Sequence, residues 1–182
     1  MDLHGKNIAI IATDKFEDAE LMRPMEAVIN VGGEVTVISD KTGEIIGESG
    51  DAVPVDKTVD EAKAEDYDGL LIPGGVKNPD VMRTNETAVG FVRSFFNQHK
   101  PVGAICHGLW LLVEADVVKG RTLTSWPSLR TDIENAGGTW VDEEVVTDGN
   151  LTTSRKPEDL DAFCVKIAEK FTEGRHARQA AM

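Results

Sequence analysis

Short runs of apolar, β-branched residues alternate along this chain with segments whose apolar positions recur every three or four residues. The first run, NIAIIAT from Asn7 to Thr13, is nearly continuous in such residues, which predicts a parallel strand covered on both faces. After the polar loop DKFED, Leu21, Met25, Val28 and Ile29 share one helical face that ends at Gly32 and Gly33, and Pro24 must kink this helix or mark its true start. EVTVIS, from Glu34 to Ser39, predicts a second strand, and the glycines between Asp40 and Pro54 predict turns with a small hairpin. DGLLIPGG, from Asp68 to Gly75, reads as a buried strand ending in a glycine pair, followed by a helix that places Ala88, Phe91, Val92, Phe95 and Phe96 on one face.

PVGAI predicts the next strand, LWLLVEAD the next helix and LTS a short strand. PSLRTDIENAGG then carries Leu129, Ile133 and Ala136 at helical spacing before its closing glycines, and VVTDGNLTTS predicts a hairpin about Gly149 and Asn150. From Pro157 a last helix buries Leu160, Phe163, Cys164, Ile167, Ala168 and Phe171, with Glu158 and Asp159 favoured by the dipole of its first turn. Parallel neighbours need crossover connections, so the alternation predicts an α/β protein: a flavodoxin-like, doubly wound, mostly parallel sheet with helices on both faces. One domain over residues 1–172 is expected, with 173–182 as a flexible tail.

Composition narrows the functions. The 182 residues, 41% hydrophobic, suffice for one well-filled core, and no segment approaches the roughly 20 apolar residues of a membrane-spanning helix. A soluble, cytoplasmic protein is expected. Thirty-two acidic against nineteen basic residues give a net charge of −13, which argues against nucleic acid and anionic membrane as partners. Two cysteines, Cys106 and Cys164, are too few for a disulfide scaffold.

In doubly wound sheets, sites gather at the carboxyl ends of strands, where DKFED, PGG and CHG all lie. Cys106 follows a strand and precedes a helix, with Gly108 permitting a tight turn; it is either a small apolar filler or a nucleophile whose thiolate the helix start favours. The arrangement resembles a nucleophile elbow, with Ala104 where that motif has glycine. Cys164, on an apolar helix face, reads as packing. His107 is a cap, a surface residue or a general base, and neighbouring side chains at a turn point apart unless the backbone twists. Its backbone N–H can point at a developing oxyanion whatever the ring does. Gly74 and Gly75 form an ordinary strand-end turn or let bare N–H groups approach a substrate; they lack the spacing of nucleotide-binding loops. Asp14, Glu17, Asp18 and Glu20 are either helix-start acids or include one carboxyl that turns inward, stays protonated and hydrogen-bonds the sulfur. No metal-ligand spacing is present.

Taken together, KFEDAEL, LLIPGG, NPD, KPVGAICHG, LTSWPSL, AGGTWVDEEVVTDG and TSRKPEDL occur in the order and spacing of a known family. The chain resembles the PfpI-type intracellular cysteine protease and deglycase family, within the class I glutamine amidotransferase-like superfamily. The resemblance implies Cys106 as nucleophile, Glu17 as the carboxyl touching its sulfur, and backbone N–H groups of Gly75 and His107 as an oxyanion hole, with no cofactor and no metal. It also implies that His107 pairs with an acid of a neighbouring subunit at the position of Asp80, where archaeal members carry glutamate, and hence a homo-oligomer, dimer or hexamer. Leu109 replaces a proline common after CHG; Trp126 stands where an aromatic residue often lines the pocket, beside Gly74.

The expected activity is that of a stress-response enzyme whose cysteine attacks electrophilic carbonyls in a glyoxalase-like or deglycase-like reaction, with methylglyoxal or a glycated protein or peptide as substrate. Peptide hydrolysis through Cys106, His107 and a neighbour's acid is the alternative among enzymes. A redox-sensing or chaperone-like protein, in which Cys106 oxidises beside Glu17, is the alternative outside them.

Overall fold

The structure is a computed structural model and describes residues 1–175. Seven strands form one sheet in the order β10-β11-β7-β6-β1-β2-β5. Its centre is made by β1 (Asn7–Ile11), β6 (Gly69–Ile72) and β7 (Val102–Ile105), flanked by β2 (Glu34–Ser39) and β11 (Leu151–Ser154). Every pairing is parallel except that of β10 (Val146–Asp148) with β11, the hairpin expected about Gly149 and Asn150. The central strands are as apolar as their sequences predict: β6 and β7 are buried at every residue.

Two apolar layers cover the sheet. On one face α1 (Asp18–Asn30) and α6 (Leu160–Glu173) pack Leu21, Val28, Phe163, Ile167 and Phe171 against Ile8, Ile10 and Leu71. On the other, α2 (Lys77–Met82), α3 (Glu86–Asn97), α4 (Leu109–Glu114) and α5 (Arg130–Asn135) pack Met82, Phe91, Phe95, Leu112 and Ile133 against Ala9, Leu70 and Ala104. This is the doubly wound α/β arrangement that the alternating pattern predicts.

Pro24 lies inside α1, so it does not mark the helix start, and its ring is buried. Ile29, expected on the buried face, is 53% exposed; the inward positions are Leu21, Pro24 and Val28. Cys164 is half-buried on α6 rather than sealed in the core. The hairpin expected between 40 and 54 is β3 (Glu44–Ile46) with β4 (Ala52–Pro54). Three short elements escape a periodicity reading: α2, the two-residue edge strand β5 (Lys57–Thr58), and β9 (Thr139–Trp140), which pairs with β8 (Thr122–Leu123). Helix α6 extends to Glu173, and from residue 176 onward the expected tail lies outside the described residues. Among the described residues no helix is long and apolar enough to cross a membrane.

The sheet order fixes where chemistry can gather. From β1 the chain moves to β2 on one side, while β6 and β7 extend the sheet on the other. The carboxyl ends of β1, β6 and β7 therefore flank a crevice at the point where the winding reverses.

Candidate active site

Cys106 leaves β7 in the left-handed region, with φ of 61°, and opens a single 3-10 turn over Cys106–Gly108 that leads into α4. A non-glycine residue here stores about 1–3 kcal/mol of backbone strain, which persists only where the surroundings over-determine it. Gly108 is part of that constraint: a Cβ at this position would lie 2.7 and 2.9 Å from the carbonyl oxygens of Ile72 and Pro73. Only bare backbone lets the turn sit so close to the end of β6.

The twist at Cys106 also turns neighbouring side chains toward each other. Nδ1 of His107 lies 3.3 Å from Sγ of Cys106, and Nε2 faces Oγ of Ser128 at 3.5 Å. The imidazole is stacked with Trp126, at 6.0 Å between centroids and 25° between planes, and meets Trp110 edge-on at 5.0 Å. Burial lowers the pKa of His107 below the ordinary histidine value, so the ring is neutral near pH 7. With its proton on Nε2 toward Ser128, Nδ1 is free to accept from a thiol.

The carboxyl against the sulfur belongs to Glu20. This corrects the expectation for Glu17. Glu20 lies in the first turn of α1 and is 2% exposed; its Oε1 accepts the Gly74 N–H at 3.0 Å, and its carboxyl packs against the Cys106 sulfur. Its Oε2 has no nitrogen or oxygen partner. Three residues earlier, Glu17 precedes the first helical turn and faces the cavity instead, half-buried, with its backbone N–H donating to the Gly74 carbonyl at 3.3 Å. Helical position supplies the reason: both first-turn carboxyls are carried inward, Asp18 toward the turn between β3 and β4 and Glu20 toward the sulfur, while Glu17 stands one residue before the helix.

Burial raises the Glu20 carboxyl to about 8, with the charge of Glu17 adding to the effect and the Gly74 N–H opposing it. Burial, followed by the charge of Glu20, pushes the Cys106 thiol well above its ordinary value, while the backbone N–H groups of His107 and Gly75 pull it down. The expectation that the helix start alone would hold a free thiolate is thereby corrected, since α4 has only six residues and burial outweighs its dipole. The two groups act on each other: the charge of Glu20 raises the thiol, so the carboxyl ionises before the sulfur.

Gly75, at φ of 80°, points its N–H at the sulfur. Gly74 does not line the cavity, contrary to expectation; it is buried behind the wall, where it holds Glu20. Asn78, fully buried, staples the two loops together. Its Nδ2 donates to the carbonyls of Pro73 and Gly74 at 3.3 and 2.9 Å, and its Oδ1 accepts the Thr13 N–H at 2.8 Å. Sequence reading took from NPD only the aspartate; the buried polar residue two places earlier was the missed signal.

These groups open into a cavity of about 660 Å³ whose walls include Cys106, His107, Trp126, Val76 and Pro157, with Glu17, Glu48, Asp80 and Glu158 around them. Asp80 is exposed on the cavity wall of its own chain, and among the described residues no hydrogen bond joins it to His107. No cluster of residues fit to hold a metal ion occurs among the described residues.

The fold and the thiol, carboxyl and imidazole at its crevice define a class of α/β proteins with a cysteine at a strand-to-helix bend. Residues 6–170 match the DJ-1/PfpI family, and the chain belongs to it. Deglycase TK1284 of Thermococcus kodakarensis is 44% identical over 86% of this chain and 93% of its own length. YraA of Bacillus subtilis, provisionally named a cysteine protease, is 42% identical over 87% of this chain and 94% of its own. Among solved structures, DJ-1beta of Drosophila melanogaster superposes with a TM-score of 0.83 at 27% identity, covering 95% of both chains. A protein of Anabaena variabilis with DJ-1/ThiJ/PfpI-like and ferritin-like domains gives 0.89 at 37% identity over 92% of this chain, which spans about half (48%) of that longer one.

Proposed function

We propose that the chain is a cysteine enzyme that attacks electrophilic carbonyls, with Cys106 as nucleophile and α-oxoaldehydes or their adducts on amines as substrates. One observation carries this reading: at the bottom of the cavity a single sulfur meets a neutral imidazole, a proton-holding carboxyl and two convergent backbone N–H groups. The name of the Thermococcus relative, a deglycase, agrees with it.

In this reading the thiol proton passes to Nδ1 of His107 as sulfur bonds to the aldehyde carbon. The oxygen of the resulting hemithioacetal lies on the N–H groups of Gly75 and His107, donors fixed before the charge develops. His107 returns its proton to that oxygen. The protonated Glu20 carboxyl then gives its proton to the neighbouring carbonyl oxygen while its other oxygen takes the hydrogen of the former aldehyde carbon. From the enediol so formed it delivers a proton to the neighbouring carbon and takes the hydroxyl proton of the first, which leaves a thioester. Water hydrolyses the thioester, releasing a 2-hydroxy acid and restoring the thiol. Trp126 and Val76 supply apolar walls that hold the carbon skeleton. A second copy whose Asp80 reaches His107, in a dimer or hexamer, belongs to the same reading; Asp80→Ala should then slow turnover only at concentrations where the oligomer forms.

Peptide hydrolysis is the second reading, favoured by the contact of Nδ1 with sulfur and by the name of the Bacillus relative. An amine leaving group must be protonated, so that reaction depends more heavily on His107. Product formation from methylglyoxal and from a peptide, measured for wild type, Cys106→Ser and His107→Ala, separates the two. Carbonyl turnover lost in Cys106→Ser and only slowed in His107→Ala supports the leading reading. Peptide cleavage lost in both supports the second, and equal, negligible rates in all three remove both and leave a redox-sensing or chaperone-like role.

A further inference from the structure

The mouth of the cavity carries a charge pattern that the covalent chemistry does not use. Apart from the buried Glu20, four of the cavity's lining residues bear carboxyls, Glu17, Glu48, Asp80 and Glu158, against one lysine, Lys77. Glu48 and Glu158 are exposed, come from segments more than a hundred residues apart, and both bear electrostatically on Glu17. Among the described residues neither forms an ion pair within the chain.

Their positions are built rather than incidental. Glu48 sits in the turn between β3 and β4, and its N–H donates to the Phe16 carbonyl at 2.8 Å. The flanking N–H groups of Ser49 and Asp51 donate to the buried Asp18 carboxylate at 2.7 and 2.9 Å, which sews this turn to the start of α1. Glu158 is held in a 3-10 turn beside Asp159, whose buried carboxylate accepts the backbone N–H of Arg155 at 3.0 Å and two of its guanidinium N–H groups at 2.9 and 3.0 Å. Inside the same cavity, Oε2 of Glu20 is buried without a nitrogen or oxygen partner. Apolar walls of Val76, Trp126 and Pro157 lower the local dielectric and focus this negative field on the approach to Cys106.

We infer that the acidic rim of Glu48 and Glu158 selects carbonyl substrates that carry a positive charge, of the kind presented by an adduct on a basic peptide, and holds off anionic ones. The substrate part of this inference rests on the carbonyl reading; the field at the thiol does not. The field is measured with Cys164→Ser protein, so that one thiol reports. Two methanethiosulfonates of similar size are used, one ending in trimethylammonium and one in sulfonate; each forms a mixed disulfide with Cys106 and releases methanesulfinate. Relative to the same pair reacting with free cysteine, the cationic reagent should be favoured by about tenfold at low salt. The preference should fall toward that of free cysteine in Glu48→Gln/Glu158→Gln. It should also collapse at about 1 M salt, where the Debye length is about 3 Å.

A preference equal to that of free cysteine in the parent protein, or one unchanged in the double variant, overturns the inference. In parallel, methylglyoxal-treated peptides with lysine or glutamate flanks are offered as substrates, and faster turnover of the lysine peptide is expected. If the thiol preference holds and neither peptide is turned over, the carbonyl reading fails while the charge selection stands. If both peptides react equally and the thiol shows no preference, the selection fails and the carbonyl reading stands.

Discussion

Nδ1 of His107 and Sγ of Cys106 stand 3.3 Å apart although the two residues are neighbours in sequence. The left-handed backbone at Cys106 makes this possible, and the close approach at Gly108 secures that backbone. Because burial keeps the imidazole neutral, it is ready to take the thiol proton without first losing one of its own. The acid limb of kcat/KM for an α-oxoaldehyde should therefore lie below the ordinary histidine range near 6.5. A pH–rate profile of the wild type checks this, and an acid limb well above that range would contradict it.

Glu20, and not Glu17, should control the thiol. The charged carboxylate raises the Cys106 pKa, so Glu20→Gln is expected to shift the onset of alkylation by iodoacetamide to lower pH. Glu17→Gln should leave that onset nearly in place. Alkylation rates across pH for the two variants in a Cys164→Ser background provide the comparison; the reverse ranking would restore Glu17 as the partner.

The same carboxyl makes stability depend on pH with a definite sign. Its folded value of about 8 lies above the ordinary 4.5, so the folded state holds a proton that the unfolded chain has released. No penalty exists below the ordinary value, where both states are protonated; stability is lost as pH rises toward 8 and stays lost above it. Glu20→Gln cannot ionise and should flatten this slope, becoming more stable than wild type by a few kcal/mol at alkaline pH. Urea midpoints at several pH values give the answer.

Asn78→Ala should cost about 2–3 kcal/mol, because it leaves the buried Thr13 N–H without its acceptor and removes two donors from the PGG loop. Turnover should fall further than stability alone explains, since the loop that aims Gly75 at the sulfur loses its tie to β1. Denaturant midpoints and kcat, measured well below the unfolding temperature, separate the two effects.

Much of this was legible in the sequence, for reasons that particular residues show. The runs IAII, GLLI and VGAI are apolar without interruption because both faces are covered, and the helix carrying Phe91 and Phe95 declares its inward face by spacing alone. The bend at Cys106 was also readable, since strand, thiol and Gly108 follow one another directly. What spacing could not convey was depth. DKFEDAE offers four acids within a few residues, and the one that meets the sulfur depends on where the helix begins and how it packs against the PGG loop. The same missing depth hid the net effect on the thiol, a balance between burial with the Glu20 charge on one side and two N–H groups on the other, one from the adjacent His107 and one from Gly75 in the PGG loop. Elements of two residues, such as β5 and β9, exist only as partners of longer strands or of each other and carry no periodicity of their own.

The most direct test is mass spectrometry of the protein quenched shortly after mixing with methylglyoxal. Glu20→Gln should accumulate a single adduct on Cys106, because attack proceeds while the proton transfer that follows is blocked; Cys106→Ser should show neither adduct nor product. Product formation at the wild-type rate by Cys106→Ser, or an adduct carried by Cys164 alone, would contradict a covalent role for the buried sulfur.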